Sequence, residues 1–476
     1  MRILASQRPS GKSDREICAH AQVNSAFRYF LGFGLTDALP HPRSLTVFRA
    51  RLGADIYQQI FDSVVSQARA AGLVKDRLRL KDATHVLANI AVPATMRLVA
   101  QLRQRLLAVA EPFASAAVAA ERAHAAAIHT ATGDLGDAER LVQRVAQLRQ
   151  IVTWADGVAH DLGPPPADLA DPHRAFTDTL ALAHQILADR DGTNGGDQVV
   201  SLHDSDARRG NHGGFFTGYL LDVAMDADSQ LITALAVLPA NGDEATAATA
   251  LIRHEERVHG NDVATLSIAK AGFRGALRRA WQDPTDLALT VVVPPVREDP
   301  PPHFTAIDFH HDAVRGTLTY PGGCSTPRRT RNHVDTGWKY TFPRSTGGAC
   351  PLQAQCVYKL PTTTGRMVVI NDYAVEYAAA RQYATTADYR QIRREHPAIE
   401  RKLADMIRHH GGRVARYWGQ ARVCIQYLLL GLVVNVKRMV RLLVPAPPRP
   451  GRPRPVVRGS GLKHPLNDRV NPNRGR

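Results

Sequence analysis

The segment that decides the fold is Leu78-Arg-Leu-Lys-Asp-Ala-Thr-His-Val-Leu-Ala88. Its residues alternate in the manner of a β-strand, with Leu78, Leu80 and Val86 on the apolar side. Asp82 stands in mid-strand between Leu80 and Val86, where a carboxylate without a partner is costly to bury. Asp82 is therefore the strongest candidate for chemistry, and the alternative is an Asp on an edge strand that faces solvent.

After this strand the sequence pattern changes from strand-like to helical, and later returns to strand-like. Residues 96–192 are rich in Ala, Arg and Gln with helical periodicity, which predicts a long helical insertion. Strand patterns then return, with a helix between the third and fourth of them that starts near Asp243 and runs to about Val258. The predicted strands are Val199–His203, Tyr219–Met225, Leu231–Leu238, Val263–Ile268 and Leu287–Val293. This order predicts an α/β fold with a mixed sheet.

The predicted organisation has seven segments. They are an N-terminal helical unit (1–77), the first core strand (78–95), the helical insertion (96–195), the rest of the core (196–303), a small unit with three of the five cysteines (304–370), C-terminal helices (371–444) and a basic tail (445–476). The N-terminal unit either binds DNA or only packs on the rest of the protein. The C-terminal helices include one long helix over 373–410, kinked near Pro397, and another over Val414–Val444. The tail is rich in Pro, Gly and Arg without apolar periodicity, which predicts disorder.

The charge balance indicates a polyanionic partner. The chain has 60 Lys and Arg against 44 Asp and Glu, a net charge of +16. A basic field of this size attracts nucleic acid, although a basic protein from a GC-rich genome has a similar composition. Five cysteines are too few for a disulfide framework and indicate a reducing compartment.

The longest apolar stretch, Val423–Val436, carries Gln426 and Asn435. It is shorter than the about 20 residues that a membrane-spanning helix needs, so we expect a buried helix. The first 15 residues contain no apolar run of the signal-peptide kind. We therefore expect a cytoplasmic protein with no membrane partner.

A second carboxylate, Glu400, lies in a predicted helix between Ile399 and Leu403. Phosphodiester chemistry with two metal ions requires carboxylates that hold two hard cations roughly 4 Å apart. Glu400 suits that role together with Asp82, and the alternative is an exposed helical Glu that pairs with a neighbouring basic side chain.

Several short motifs, in a fixed order, resemble those of bacterial insertion-sequence transposases of the DDE type. They are Ser13-Asp-Arg-Glu-Ile-Cys18, Phe27-Arg-Tyr-Phe-Leu-Gly32, Phe48-Arg-Ala-Arg-Leu-Gly53, Leu80-Lys-Asp-Ala-Thr-His85, Asp204-Ser-Asp-Ala-Arg208, Phe216-Thr-Gly-Tyr219, Ala415-Arg-Tyr-Trp-Gly419 and Asn435-Val-Lys-Arg438. The resemblance covers about residues 13–443.

This resemblance implies an RNase H-like core with a triad of two Asp and one Glu and two Mg²⁺ or Mn²⁺ ions. It implies DNA cleavage and strand transfer, with the terminal inverted repeats of the element and target DNA as partners and a homo-oligomer assembled on the DNA. Among the residues of this chain, Asp82 matches the first carboxylate and Glu400 the third. The expected location is the bacterial cytoplasm, at the nucleoid.

The second carboxylate of the triad has no counterpart here. The family places it just before a Gly-aromatic turn, which corresponds to Gly272-Phe273, so the acidic position falls at Lys270 or Ala269. Neither side chain ligates magnesium, and Asp204 and Asp206 are possible substitutes. We therefore predict that this copy is impaired, and the alternative is an inactive DNA-binding remnant.

Basic side chains near these motifs are candidates for contacts with DNA. They are Arg208, Arg209, Arg393, His409, His410, Arg416, Lys437 and Arg438. Zinc is not expected, because Cys324, Cys350 and Cys356 with His333 do not form the close ligand pairs of a structural zinc site.

Overall fold

The structure is a computed structural model, which describes residues 13–162, 167–192, 197–296, 304–332, 336–345, 351–356 and 365–444. The predicted tail at 445–476 lies outside these residues, as do Cys350 and His333.

Helices occupy both ends of the described part of the chain and the predicted insertion. They are α1 (Asp14–Val23), α2 (Ser25–Leu31), α3 (Pro42–Ala70), α4 (Thr95–Ala131), α5 (Asp137–Asp161), α6 (Ala170–Arg190), α7 (Glu244–His259), α8 (Gly275–Trp281), α9 (Gln353–Cys356), α10 (Ala374–Tyr383), α11 (Ala387–Glu395), α12 (Pro397–His410) and α13 (Gln420–Leu443). Helix α3 is interrupted at Gly53, whose φ of 70° is not helical.

Strands form one large sheet and two small ones. They are β1 (Arg79–Leu87), β2 (Arg208–Asn211), β3 (Phe215–Asp226), β4 (Ile232–Pro239), β5 (Thr265–Ile268), β6 (Thr290–Val292), β7 (His310–Asp312), β8 (Thr317–Thr319), β9 (Ser325–Thr326), β10 (Arg329–Asn332), β11 (Gly337–Thr341) and β12 (Met367–Asn371). Strands β7–β9 and β10–β12 form two antiparallel three-stranded sheets.

The six-stranded sheet is mixed. Strand β1 lies between β3, which is antiparallel to it, and β5, which is parallel. Strand β6 continues in parallel beyond β5, while β2 and β4 both pair antiparallel with β3. The predicted α/β fold with a mixed sheet is therefore confirmed.

The two faces of β1 have different surroundings. Leu78, Leu80 and Val86 lie in the largest apolar core, together with residues of α3, α12 and α13. Arg79 and Lys81 point to the opposite face, which α7 covers. Because side chains alternate along a strand, Asp82 shares its face with Leu80.

The insertion consists of three long helices that share an apolar core of their own. Leu106 of α4, Ile151 of α5 and Ile186 of α6 are all buried in it. Val199 and Leu202 belong to this core, while Val200 belongs to the core beneath the sheet. The prediction of a strand at Val199–His203 is wrong, because these apolar residues are buried between two cores without pairing in a ladder.

Helix α13 is long and apolar enough to cross a membrane by length and composition alone, and most of its apolar window is buried within the protein. It packs on α3 and β4, and a Cβ at Gly431 would lie 2.8 Å from Leu235 and 3.0 Å from Phe61. Its buried Asn435 donates to and accepts from the backbone of Ile232 at 2.7 and 2.8 Å. The expectation of a buried helix is confirmed for these residues.

The predicted single helix over 373–410 is three helices, and the last helix begins at Gln420 and not at Val414. Thr386 caps α11 by accepting a hydrogen bond from the amide of Tyr389. Pro397 then begins α12, because proline suits a first helical turn and interrupts a helix interior.

Candidate active site

Asp82 and Glu400 line the same cavity, although they are far apart in sequence. Asp82 projects from the centre of β1, and Glu400 from the first turn of α12, which packs against that strand. The cavity has a volume of about 240 Å³. Its other lining residues are Ala83, Thr84, Leu403, Ala404, Ile407, Arg408 and Arg413. The fold thus brings together the two carboxylates that the sequence singled out.

The Asp82 carboxyl group is held in an unfavourable environment for a negative charge. Burial raises its pKa to about 6, and the like charges of Glu244 and Glu400 add to that rise. The amide of Ala83 and the ammonium of Lys81 oppose the shift without cancelling it. A buried carboxylate with acidic neighbours is a site that a cation would stabilise.

A second group of acids lies on the other face of β1. The Lys81 ammonium lies 2.8 Å from the Asp222 carboxylate and donates to the Glu244 carbonyl oxygen at 2.6 Å. Burial raises the pKa of Asp222 to about 6, with Lys81 opposing and Glu244 and Asp82 contributing to the rise. One lysine therefore faces several carboxylates, and the centre of the sheet carries an excess of negative charge.

Ala269 and Lys270, the predicted positions of the second acid, lie where β5 ends. Ile268 is the last residue of β5 and pairs with Lys81 of β1, so the residues after it leave the sheet beside Asp82. Lys270 is exposed and begins a 3₁₀ turn that ends at Gly272, where a Cβ would lie 2.6 Å from the Ile268 side chain. The structure thus contains a tight turn at Gly272, and Lys270 precedes it where the family resemblance leads us to expect an acid.

A basic side chain of the protein lies beside this strand end. Arg393 of α11 donates to the Ser267 hydroxyl and to the Ile268 carbonyl oxygen, both at 3.3 Å. Burial lowers its pKa, and the charges of Glu400 and Asp82 oppose that shift. The guanidinium is therefore within electrostatic reach of both cavity carboxylates and anchored to the end of β5.

Comparison with known proteins gives two family matches. A model described as a transposase DDE domain matches residues 324–440, and one described as a transposase domain (DUF772) matches residues 1–51. Both matches support an insertion-sequence DDE transposase. No curated protein and no solved structure matches this chain. The DDE match contains Glu400, whereas Asp82 and Lys270 lie before it.

Asp204 and Asp206 lie at the start of α13, away from the cavity that Asp82 lines. The Asp204 carboxylate accepts from the Gly419 amide at 3.0 Å and from the Tyr219 hydroxyl. Asp206 accepts from the Gln420 amide at 2.8 Å. Carboxylates at a helix N-terminus satisfy amides that have no helical partner, which is a structural role.

The structure separates the predicted DNA contacts Arg208 and Arg209. Arg208 is buried and donates to the Asp197 carboxylate at 2.6 Å, an arrangement that does not present it to a phosphate. Arg209 is exposed and lines an open cavity of about 820 Å³ with His212 and Arg274. The exposed Arg416 lies in the loop between α12 and α13.

Four of the predicted DNA contacts line one basic pocket of about 380 Å³ at the end of α12 and beside α13. They are His409, His410, Lys437 and Arg438. The pocket is lined by Lys402, Asp405, His409, His410, Val434, Lys437, Arg438 and Arg441. Burial, with Arg438 and Arg441 nearby, lowers the pKa of Lys402 to about 8, although Asp405 opposes the shift. One acid among six basic residues makes this pocket suited to an anion such as a phosphate.

Two contributors to these sites were missed from the sequence. Glu244 follows the capping residue Asp243, and this position resembles that of an ordinary acid in a first helical turn. Lys402 follows Glu400 by two residues and looks like a surface lysine in the sequence. Only the packing of helices on the sheet shows that both are partly buried beside other charges.

Proposed function

We propose that this transposase has an RNase H-like core, binds double-stranded DNA at the terminal inverted repeats of its element, and cuts and joins DNA strands at Asp82 and Glu400. The observation that carries this proposal is the shared cavity of these two carboxylates. A central strand with one antiparallel and one parallel neighbour, covered by helices on both faces, supports the RNase H-like assignment.

The donor atoms fit a hard divalent cation. Asp82 and Glu400 offer carboxylate oxygens, and burial raises the pKa of Asp82, so that a bound cation would stabilise its ionised form. Bound Mg²⁺ or Mn²⁺ would activate the attacking oxygen and stabilise the leaving oxygen of the phosphodiester. The exposed Arg408 and the half-buried Arg413 line the same cavity, where they can orient a phosphate of the DNA backbone.

We further propose that strand cleavage by this copy is impaired. The two carboxylates are fewer than a pair of metal ions needs, and Lys270 stands where the third is expected. Arg393 places a second positive charge near the same carboxylates. Both groups repel a divalent cation, so affinity for the metal is reduced.

The test is a cleavage assay with Mn²⁺ on DNA that carries the terminal repeats flanking the gene. We expect weak cleavage by the protein as it stands, and a gain of roughly 10- to 100-fold for Lys270→Asp or Ala269→Asp, the range by which a changed metal environment alters activity. Lys270→Ala is the matched control, because it removes the positive charge without adding a ligand.

A double variant tests whether the gained cleavage takes place at the predicted site. Adding Asp82→Asn to Lys270→Asp should abolish the gained cleavage. If the unchanged protein already cuts as fast as these variants, a different carboxylate completes the site, and variants of Asp204, Asp206 and Glu244 identify it.

The alternative function is a DNA-binding remnant that occupies the ends of the element without cutting them. Lys270 and Arg393 favour it, because positive charge at the site suits phosphate and opposes a metal ion. Binding to the terminal repeats in the presence of EDTA, with no cleavage by any of the variants, would identify this function. For either function we expect a homo-oligomer on DNA, in the bacterial cytoplasm at the nucleoid.

We assign the basic pocket between α12 and α13 to DNA phosphate contacts. Lys437→Ala should then weaken binding at every sequence and lower the slope of log affinity against log salt by about 0.9. Arg315→Ala, an exposed basic change elsewhere, is the control. Binding should also weaken as the pH rises through 8, because Lys402 with a pKa of about 8 loses its charge there. Equal effects of the two substitutions would contradict the assignment.

A further inference from the structure

Two helices that are distant in sequence bring three metal-binding side chains together. Asp62 lies on α3, and His254 and His259 lie on the last two turns of α7, which packs against it. One ligand atom from each of the three side chains lies within 4.8 Å of the other two. None of the three side chains lines the cavity of Asp82 and Glu400.

The distances suit tetrahedral coordination. His254 Nε2 lies 3.0 Å from Asp62 Oδ1, and His259 Nε2 lies 3.6 Å from the same oxygen. Zinc–nitrogen bonds of about 2.0–2.1 Å at tetrahedral angles place neighbouring ligand atoms roughly 3.3 Å apart. The two observed distances lie on either side of that value.

His259 provides a second and independent observation. Its side chain is fully buried, and its Nε2 atom has no hydrogen-bond partner among the residues that the structure describes. The other ring nitrogen, Nδ1, lies 3.0 Å from the Ser66 hydroxyl. When Nδ1 of the neutral ring donates to that hydroxyl, Nε2 directs a lone pair at the Asp62 carboxylate, and this contact is repulsive unless a proton or a metal cation lies between the two groups.

We propose that Asp62, His254 and His259 form a structural binding site for one divalent transition-metal ion of the zinc type. Two imidazole nitrogens select such an ion over Mg²⁺ or Ca²⁺, which prefer oxygen ligands. A closed structural site needs a fourth ligand. Gln58 lies one turn before Asp62 with its amide nitrogen 2.9 Å from Asp62 Oδ1, and rotation of that amide presents its oxygen to the ion.

The position of the site gives the ion a mechanical role. Asp62 belongs to the part of α3 that follows the interruption at Gly53, and α7 covers the central sheet. An ion bound between them fixes the N-terminal helices on the core. This role does not depend on strand cleavage, and it holds equally for an active transposase and for a DNA-binding remnant.

The test is a titration of the full chain, stripped of metal with EDTA, with Co²⁺ as a visible probe. We expect saturation at one ion per chain with the absorption of four-coordinate cobalt, and displacement of the cobalt by Zn²⁺. Zinc should also raise the midpoint of thermal unfolding, because an ion that binds only the folded chain stabilises it. His259→Gln and His254→Gln should each weaken binding by at least roughly tenfold and abolish that rise in the midpoint.

His184→Gln is the matched control, because His184 contacts Asp156 at 2.8 Å on the surface without a third ligand. It should bind cobalt as the unchanged protein does. If His259→Gln does not fold by circular dichroism, His254→Gln decides, since His254 is partly exposed. Absence of stoichiometric binding would overturn the proposal. So would cobalt affinities of His259→Gln and His254→Gln equal to that of the unchanged protein, or a thiolate–cobalt band in the near ultraviolet.

Discussion

Two clusters of buried charge, around Arg79 and around Asp82 of β1, differ in how fully their carboxylates are paired. On the face covered by α7, Arg79 donates to Glu255 at 2.6 Å and lies 3.1 Å from Asp226, and all three side chains are completely buried. Glu255 also accepts from Thr233 and Asn261. On the other face, Asp82 shares a cavity with Glu400 and has a raised pKa.

This difference separates structural charges from functional ones. A buried charge with matched partners holds the fold together, because removing one partner leaves the other uncompensated. A partly buried acid beside other acids weakens the fold, and such an arrangement is characteristic of a site that binds a cation. Neighbouring residues on one strand can therefore be assigned to different roles by the balance of charge around them.

The largest change in the free energy of unfolding is expected on substitution of Arg79. Arg79→Met leaves Glu255 and Asp226 buried without their cation, and should lower the free energy of unfolding by about 3–5 kcal/mol. Urea unfolding followed by circular dichroism measures the change. The control is Arg77→Met, since Arg77 is 47% exposed and its pairs with Asp228 and Glu395 should contribute about 1 kcal/mol or less. Similar losses for both variants would contradict the comparison.

At the cavity, substitution of Asp82 is expected to stabilise the protein, whereas substitution of Arg79 destabilises it. Asp82→Asn removes a buried negative charge, and should raise the free energy of unfolding at pH 7.5 by up to about 3 kcal/mol, the equivalent of a pKa shift from 3.8 to about 6. Unfolding is measured in EDTA, so that no bound ion compensates the charge.

The pH dependence of this gain tests its cause. Because the folded pKa of Asp82 is raised, its ionisation costs stability in full above pH 6 and costs none below pH 3.8, where both states are protonated. The gain from Asp82→Asn should therefore appear between about pH 4 and pH 6 and remain constant at higher pH. A gain that is equal at pH 4 and pH 7.5 would refute the electrostatic explanation.

The smallest expected change in stability concerns Glu244, a residue of α7 whose charge raises the pKa of Asp82. Glu244→Gln should lower that pKa, and so reduce the gain from Asp82→Asn by less than about 1 kcal/mol. A double-mutant cycle of the two substitutions measures this coupling. Glu256→Gln, on the same helix, serves as the control, and equal coupling for both acids would show that Glu244 has no special relation to Asp82.

The parts of the fold that follow from local patterns were predictable. Alternation along residues 78–88 predicts β1, and the excess of apolar residues in 423–436 predicts a buried helix. The placement of Asp82 in mid-strand was sufficient to select it, because few reasons other than chemistry place an acid there. Glu400 required the family resemblance, since an acid on a helix is common.

Features that depend on tertiary packing were not predictable. The apolar residues at 199–203 look like a strand, but two separate cores bury them. Arg208 looks like a phosphate contact, but Asp197 holds it inside the protein. The cluster of Asp62, His254 and His259 has no local signature, because its carboxylate and its imidazoles lie on helices that meet only after folding.

The position of α13 in the sequence determines which of its packing partners have already been synthesised when the helix is made. Because a chain emerges from the ribosome starting at its N-terminus, α3 and β4 are available before α13 is complete. A helix apolar enough for a lipid bilayer thus finds its partner surface within its own chain, and Asn435 finds Ile232. Glu400 also emerges long after Asp82, so the cavity that both residues line forms only after α12 has been made. A product interrupted before α12 therefore carries neither the finished core nor the paired carboxylates.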